Sequence, residues 1–213
     1  MEDNSQIIKE IKQSFRQMMD GAVAQSMRDK GLNYHLNWGA TLPRLKLKAE
    51  EITNTCHLSS TAQYSLAIAL WKENVRECKI LATMLMPPEQ MLPEVCDIWM
   101  EQMPSQEIAE QAAFNLWQHL PYAPEKAYQW IASDEELYQL CGFHVLSRLF
   151  MNGQEPNERG INEFMDQALS ALQGPYMSVR KAAMQSVLRF AELGLVYERM
   201  AKSATKSINL ELF

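Results

Sequence analysis

Three cations raise the first question of chemistry. Lys72, Arg76 and Lys79 follow one another at spacings of four and three, on one face of a helix boundary. With Arg44, Lys46 and Lys48 they could form a rail for phosphate oxygens. Arg180, Lys181 and Arg189 make a second such set. Each set has a structural alternative. The first can pair with Glu73 and Glu77 on a solvated face, and Arg180 can satisfy backbone carbonyls between packed helices. Five indoles, Trp38, Trp71, Trp99, Trp117 and Trp130, offer faces on which a base could stack. Trp71, Trp99 and Trp117 lie on apolar helical stripes, which predicts core packing. Trp38 lies in a loop and stays open. His35, His57, His119 and His144 form no HExxH or Cys-plus-His ligand grouping, so no metal site is predicted. There is no GxSxG, P-loop or GxGxxG. Cys56, Cys78, Cys96 and Cys141 lack CxxC spacing and read as buried, reduced thiols. Met84, Met86 and Met91 could mark an adaptable partner surface if exposed.

The elements that must carry these residues are helical. Ile7, Ile8, Ile11 and Phe15 follow the spacing of a helix face, and Met18 and Met19 extend the stripe. Further helices are expected over 22–30, from Thr41 to about Cys56, from Ser59 to Trp71, over 75–86, over 89–103 and over 106–120. Others are expected over 125–132, from a cap at Ser133 to about Phe150, over 161–173, over 179–193 and over 195–206. Pro87, Pro88, Pro104, Pro121 and Pro124, with Gly21, Gly31, Gly174 and Gly194, punctuate them. The clearest surface loop is expected over 151–160. Short breaks force neighbouring helices to pack antiparallel, and a chain of such hairpins is an α-solenoid. The pairs repeat at roughly 30–45 residues without a strict consensus, which suits HEAT-like repeats in an all-α single domain over 1–213. An irregular helical bundle is the alternative architecture.

Composition agrees. Of 213 residues, 47% are hydrophobic and 22% charged, with only eight Gly. That excludes disorder, collagen and a disulfide scaffold. The apolar runs are too short to span a bilayer, and the polar, acidic start is unlike a secretory leader, so a cytoplasmic protein with no membrane association is expected. Net charge is -6. Residues 90–145 hold nine acids and one base, Lys126, so the acidity is central. Phosphate binding draws its free energy from Lys and Arg that release counterions, and a central acidic stretch opposes it.

Three sequence islands resemble the AlkD-like DNA alkylation repair family. They are Met27–Leu32 with Leu36–Lys46, then Ala69–Ala82 with its Leu70-Trp71 and Arg76-Glu77, then Val179–Arg189 with Lys181-Ala182-Ala183. They span about 20 to 195, in family order. The resemblance implies a right-handed solenoid of HEAT-like repeats with a DNA-facing concave side. It also implies relation to glycosylases that remove N3- and N7-alkylated purines without metal or cofactor.

The same resemblance places the family's catalytic positions on residues of other types. A family Trp followed four residues later by an Asp corresponds to Gln106 and Glu110. Gln106 replaces the aromatic that packs on the lesion's sugar. Glu110 keeps the carboxylate that would stabilise a developing oxocarbenium ion, one methylene further out. A second family Trp corresponds to Gln185, and the family's arginine segment to Leu137–Leu140. Gln106, Glu110 and Gln185 are thus the candidate catalytic positions, and weak or absent excision is expected. Arg44, Lys46, Lys72, Arg76, Lys79, Arg180, Lys181 and Arg189 are the candidate contacts to double-stranded or damaged DNA. The alternative is a non-enzymatic scaffold whose groove holds a protein or peptide partner.

Overall fold

The computed structural model describes residues 4–55 and 58–210; Cys56 and His57 lie outside the described residues. Within them the chain forms twelve α-helices, two 3-10 turns and no strand. The chain divides into two compact units, residues 1–116 and 117–213.

The first unit contains α1 (Ser5–Gln17), α2 (Gly21–Asp29), α3 (Leu42–Thr55), α4 (Ser60–Lys72), α5 (Arg76–Leu85), α6 (Pro93–Glu101) and α7 (Gln106–Asn115). α1 buries Ile8, Ile11 and Phe15, the stripe that the sequence marks. Asp20 caps α2 by accepting from the N–H groups of Ala22 and Val23, both at 3.0 Å. α4 and α5 form a hairpin, and α3, α5 and α7 lie side by side. Every residue of α5 from Arg76 to Thr83 is buried, so this helix is the unit's centre.

Trp71 and Trp99 stack there with centroids 4.1 Å apart and planes 3° from parallel. Such a pair contributes on the order of 1 kcal/mol beyond its burial. Trp38 is buried too, against Phe15. Met86 and Met91 are buried and Met84 is partly covered, so the three form no exposed partner surface. The helix expected from Glu89 begins instead at Pro93, after a 3-10 turn over Pro88–Gln90. Proline's missing N–H costs nothing in a helix's first turn.

The second unit contains α8 (Ala123–Ile131), α9 (Glu136–Met151), α10 (Glu158–Gln173), α11 (Met177–Ala191) and α12 (Leu195–Ser207). α8/α9 and α10/α11 are hairpins. α8 packs on α10, and α9 packs along α11, which gives two layers; α12 closes on α11. The close fit of α8 and α9 depends on Gly142. A Cβ there would lie 2.6 Å from Ile131 Cγ2 and 2.8 Å from the Ala127 carbonyl oxygen. Phe150, Phe164 and Phe190 meet in the core at centroid distances of 5.0 to 5.5 Å. α10 starts at Glu158, inside the expected loop, because the Asn157 side chain accepts from the Gly160 N–H at 2.8 Å.

Cys78, Cys96 and Cys141 are buried free thiols, and burial pushes the Cys78 thiol up to about 12. No helix of the described residues is long and apolar enough to cross a membrane. Among them no group of three His, Cys, Asp or Glu side chains is placed to hold a metal ion.

Candidate nucleic-acid interface

α7 sorts its residues by face. Ser105 caps it, accepting from the Ile108 N–H at 3.3 Å. Ile108, Ala109, Ala112 and Ala113 turn inward. Gln106 and Glu110 are exposed, one turn apart on the same ridge. Desolvation at the helix surface, reinforced by the Glu107 charge, pushes the Glu110 carboxyl above the usual range. The sequence pairing of Gln106 with Glu110 is therefore a real adjacency on one helix.

Glu107 faces the other way and receives a buried arginine. Arg76 is 1% exposed. Its Nε and Nη2 donate to the two Glu107 oxygens at 2.8 and 2.6 Å, a bidentate pair. Its Nη1 donates to the Ala40 carbonyl at 2.8 Å. Tyr34 donates its hydroxyl to Glu107 at 2.5 Å. Burial alone would lower the Arg76 pKa and raise that of Glu107. The hydrogen bonds and charges they exchange win in both cases, holding Arg76 above and Glu107 below their ordinary values. Glu77, fully buried, accepts from the Trp38 and Ala40 N–H groups at 3.1 and 3.2 Å. These carboxylates and Arg76 pin residues 34–40 to the starts of α5 and α7.

The first cation set therefore does not stand together. Arg76 is committed inside the fold. Lys79 is buried as well; its Nζ donates to the Trp71 carbonyl at 2.8 Å and lies 4.5 Å above the Trp71 ring. Helical spacing correctly put both on one face, but α5 is central, so that face is covered. Lys72, at the end of α4, is exposed. Arg44 and Lys46 are exposed on α3, with one Arg44 nitrogen donating to the Met18 carbonyl at 3.1 Å. Lys48 pairs with Glu51 at 3.0 Å.

In the second unit the outward side of α11 carries the other set. Arg180, Lys181 and Gln185 are exposed, and Arg189 is partly exposed, with Glu192 at 2.7 Å. Lys181, Gln185 and Arg189 occupy successive turns. α9 adds two residues that sequence reasoning missed. Arg148 is lowered by partial burial and by the charge of Arg189. His144 is pushed down to about 4 by burial and by the charge of Arg148. The charge of Arg189 on α11 thus reaches Arg148 on α9. The signal was present in the sequence as His144 and Arg148 four apart, but only the packing of α9 on α11 gives it meaning.

A family model described as DNA alkylation repair enzyme matches residues 11–189. The chain belongs to the DNA alkylation repair family. Among solved structures, one matches with a TM-score of 0.77 and 16% identity, covering 93% of this chain and 81% of that one. It is described as a new family of proteins related to the HEAT-like repeat DNA glycosylases with affinity for branched DNA structures. That likeness establishes the HEAT-like repeat fold for this chain and leaves the irregular bundle aside. No curated protein matches it.

All five tryptophans are buried, from 0% exposure at Trp117 to 6% at Trp38. None presents a face to a nucleotide, so the open question over Trp38 closes in favour of packing. Gln106 and Gln185 stand exposed on their helices.

Proposed function

We propose that this protein is a DNA-associated member of the DNA alkylation repair family with weak or lost base-excision activity. It acts as one HEAT-like repeat domain over 1–213, in the cytoplasm, without metal or cofactor. The observation that carries the loss of excision is the burial of every indole. Gripping the sugar of an alkylated nucleotide while its glycosidic bond breaks calls for aromatic walls around the carboxylate. Misplacing a catalytic group by an ångström costs about 100-fold. Glu110, flanked by the Gln106 amide, would retain at most a vestige of that chemistry, and Gln185 none.

Binding outlives excision in this reading because it rests on other residues. Arg44, Lys46 and Lys72 in the first unit, and Arg148, Arg180, Lys181 and Arg189 in the second, are the contacts we assign to phosphate. Branched DNA is the favoured form, since a protein of the same fold is described with that affinity. Arg76 and Lys79 are left out of this set because their charged groups are turned inward.

The test measures release of 7-methylguanine and 3-methyladenine from alkylated DNA, and binding to a four-way junction and a duplex across salt. We expect no release above the spontaneous rate, and junction binding whose logarithmic salt slope falls by about one for each surface cation removed. Release that Glu110→Gln abolishes would restore the enzyme; absence of any salt-dependent binding would remove DNA. The second outcome would favour a scaffold. Around α6 the exposed Glu94 and Glu101 accompany exposed Leu92 and Ile98, a surface suited to a basic protein segment.

A further inference from the structure

Two exposed helix faces play no part in the DNA contacts assigned above. On α6, Glu94, Ile98 and Glu101 follow one another at spacings of four and three, so they share one outward ridge, with Leu92 just before it. On α12, Val196, Arg199, Met200, Ser203 and Lys206 share another. That helix packs on α10 and α11 through its other side, where Ala201 and Thr205 are buried. Ile98 is 49% exposed and Val196 66%. Exposed apolar side chains are ordinary when scattered singly. These come in groups, and each group is set among charges of one sign.

Those charges are unanswered within the chain. Neither Glu94 and Glu101 nor Arg199 and Lys206 form an ion pair with any of the described residues. Glu198, the one acid in α12, is met by Lys202 at 2.6 Å, so the ridge is left basic. No Lys or Arg occurs between residues 80 and 125, so the α6 segment is acidic throughout. The spacings also agree. Glu94 and Glu101 are seven residues apart, and so are Arg199 and Lys206. At 1.5 Å per residue both separations are about 10.5 Å along the helix. Two carboxylates and two cations at equal separation can pair together when the ridges lie alongside, which also fixes the register.

We propose that the basic, apolar ridge of α12 docks on the acidic, apolar ridge of α6 of a second copy of this chain. Both faces are exposed in one copy, and each supplies the charge that the other lacks. The contact is small, with α6 contributing only nine residues. It belongs with weak interfaces, with a dissociation constant on the order of 100 µM. Arg199 and Lys206 are not among the cations assigned to phosphate, so the proposal stands independently of DNA binding.

Sedimentation velocity of the full chain without DNA, from about 1 to 500 µM, is the experiment. The wild-type sedimentation coefficient should rise with concentration. Ile98→Glu and Val196→Asp should each weaken association at least about tenfold without changing the melting temperature, because both side chains are exposed. Two charge-reversed chains, Glu94→Lys with Glu101→Lys and Arg199→Glu with Lys206→Glu, should each stay monomeric. Mixed together they should associate again, since the reversed α6 of one meets the reversed α12 of the other. A structural role for these residues would not be rescued by mixing. Wild type that is monomeric over the whole range overturns the proposal. So does association that survives in both reversed chains, or that mixing fails to restore.

Discussion

Glu107 and Glu110 sit three residues apart on α7, and neutralising them should have effects of very different size. Glu107→Gln leaves the Arg76 guanidinium inside the protein, 1% exposed, without its bidentate carboxylate. Breaking a buried pair by removing one partner costs about 3–5 kcal/mol. The Glu107 side chain keeps 15% exposure, and Arg76 retains the Ala40 carbonyl, so the lower end of about 3 kcal/mol applies. For a chain of this size that lowers the melting temperature by roughly 6–12 °C. Glu110→Gln changes an exposed carboxylate at the helix surface, and should cost far less than Glu107→Gln. The pH dependence follows from the direction of the shift. Glu107 has a depressed pKa in the folded state, so its contribution is present above the unfolded carboxylate value. It is lost as pH falls through the folded value. The gap between wild type and Glu107→Gln should therefore be wide at pH 7 and close in strong acid. Thermal unfolding followed by circular dichroism across that range is the assay. Glu107→Gln melting within about 2 °C of wild type at pH 7 would refute the buried-pair argument.

Two further outcomes are expected. His144 is neutral in the fold down to about pH 4, whereas the unfolded chain takes up a proton below its ordinary value near 6.5. Stability should thus fall as pH drops from 6.5 to 4, by up to about 3 kcal/mol, and His144→Gln should flatten that segment of a urea-denaturation pH profile. Gly39 has φ +76°, and a Cβ there would lie 2.1 Å from the Asp20 carbonyl oxygen. Gly39→Ala should cost about 3 kcal/mol or more. Gly31→Ala has φ +83° but nothing within 4 Å, and should cost only about 1 kcal/mol. Equal melting temperatures for the two variants would contradict the close approach.

The helices were legible because their signals are local. Ile8, Ile11 and Phe15 repeat at helical spacing and are the residues α1 buries. Ser59 and Ser105 cap where a short polar side chain precedes an apolar stripe. Boundaries slipped where two prolines compete, as at Pro88 and Pro93, and where a cap hides in a loop, as at Asn157. The candidate site was harder. Spacing tells which residues share a face, and it was right that Arg76 and Lys79 do. It does not tell whether that face meets water or another helix. α5 is flanked by α3, α4 and α7, so an arginine placed there must find its counter-charge inside the protein. The matching carboxylate, Glu107, lies 31 residues away and looks from sequence like any helix-start acid. His144 and Arg148 failed to register for the converse reason: their neighbour Arg189 comes from another hairpin.

Placing Glu107 inside changes the meaning of the central acidity. The count of nine acids over residues 90–145 treats every carboxylate as facing the solvent. Glu107 is neutralised by Arg76 and contributes little to the outer field. Glu94 and Glu101 are exposed on α6, and Glu110 is exposed on α7. A polyanion approaching the first unit would be pushed off α6 and α7 and drawn to Arg44, Lys46 and Lys72. One approaching the second would be drawn to α9 and α11. Repulsion within about a Debye length, near 10 Å at 0.1 M salt, is enough to steer which part of a nucleic acid comes closest. An acidic α7 is then compatible with DNA binding, provided that the phosphates stay on the cations.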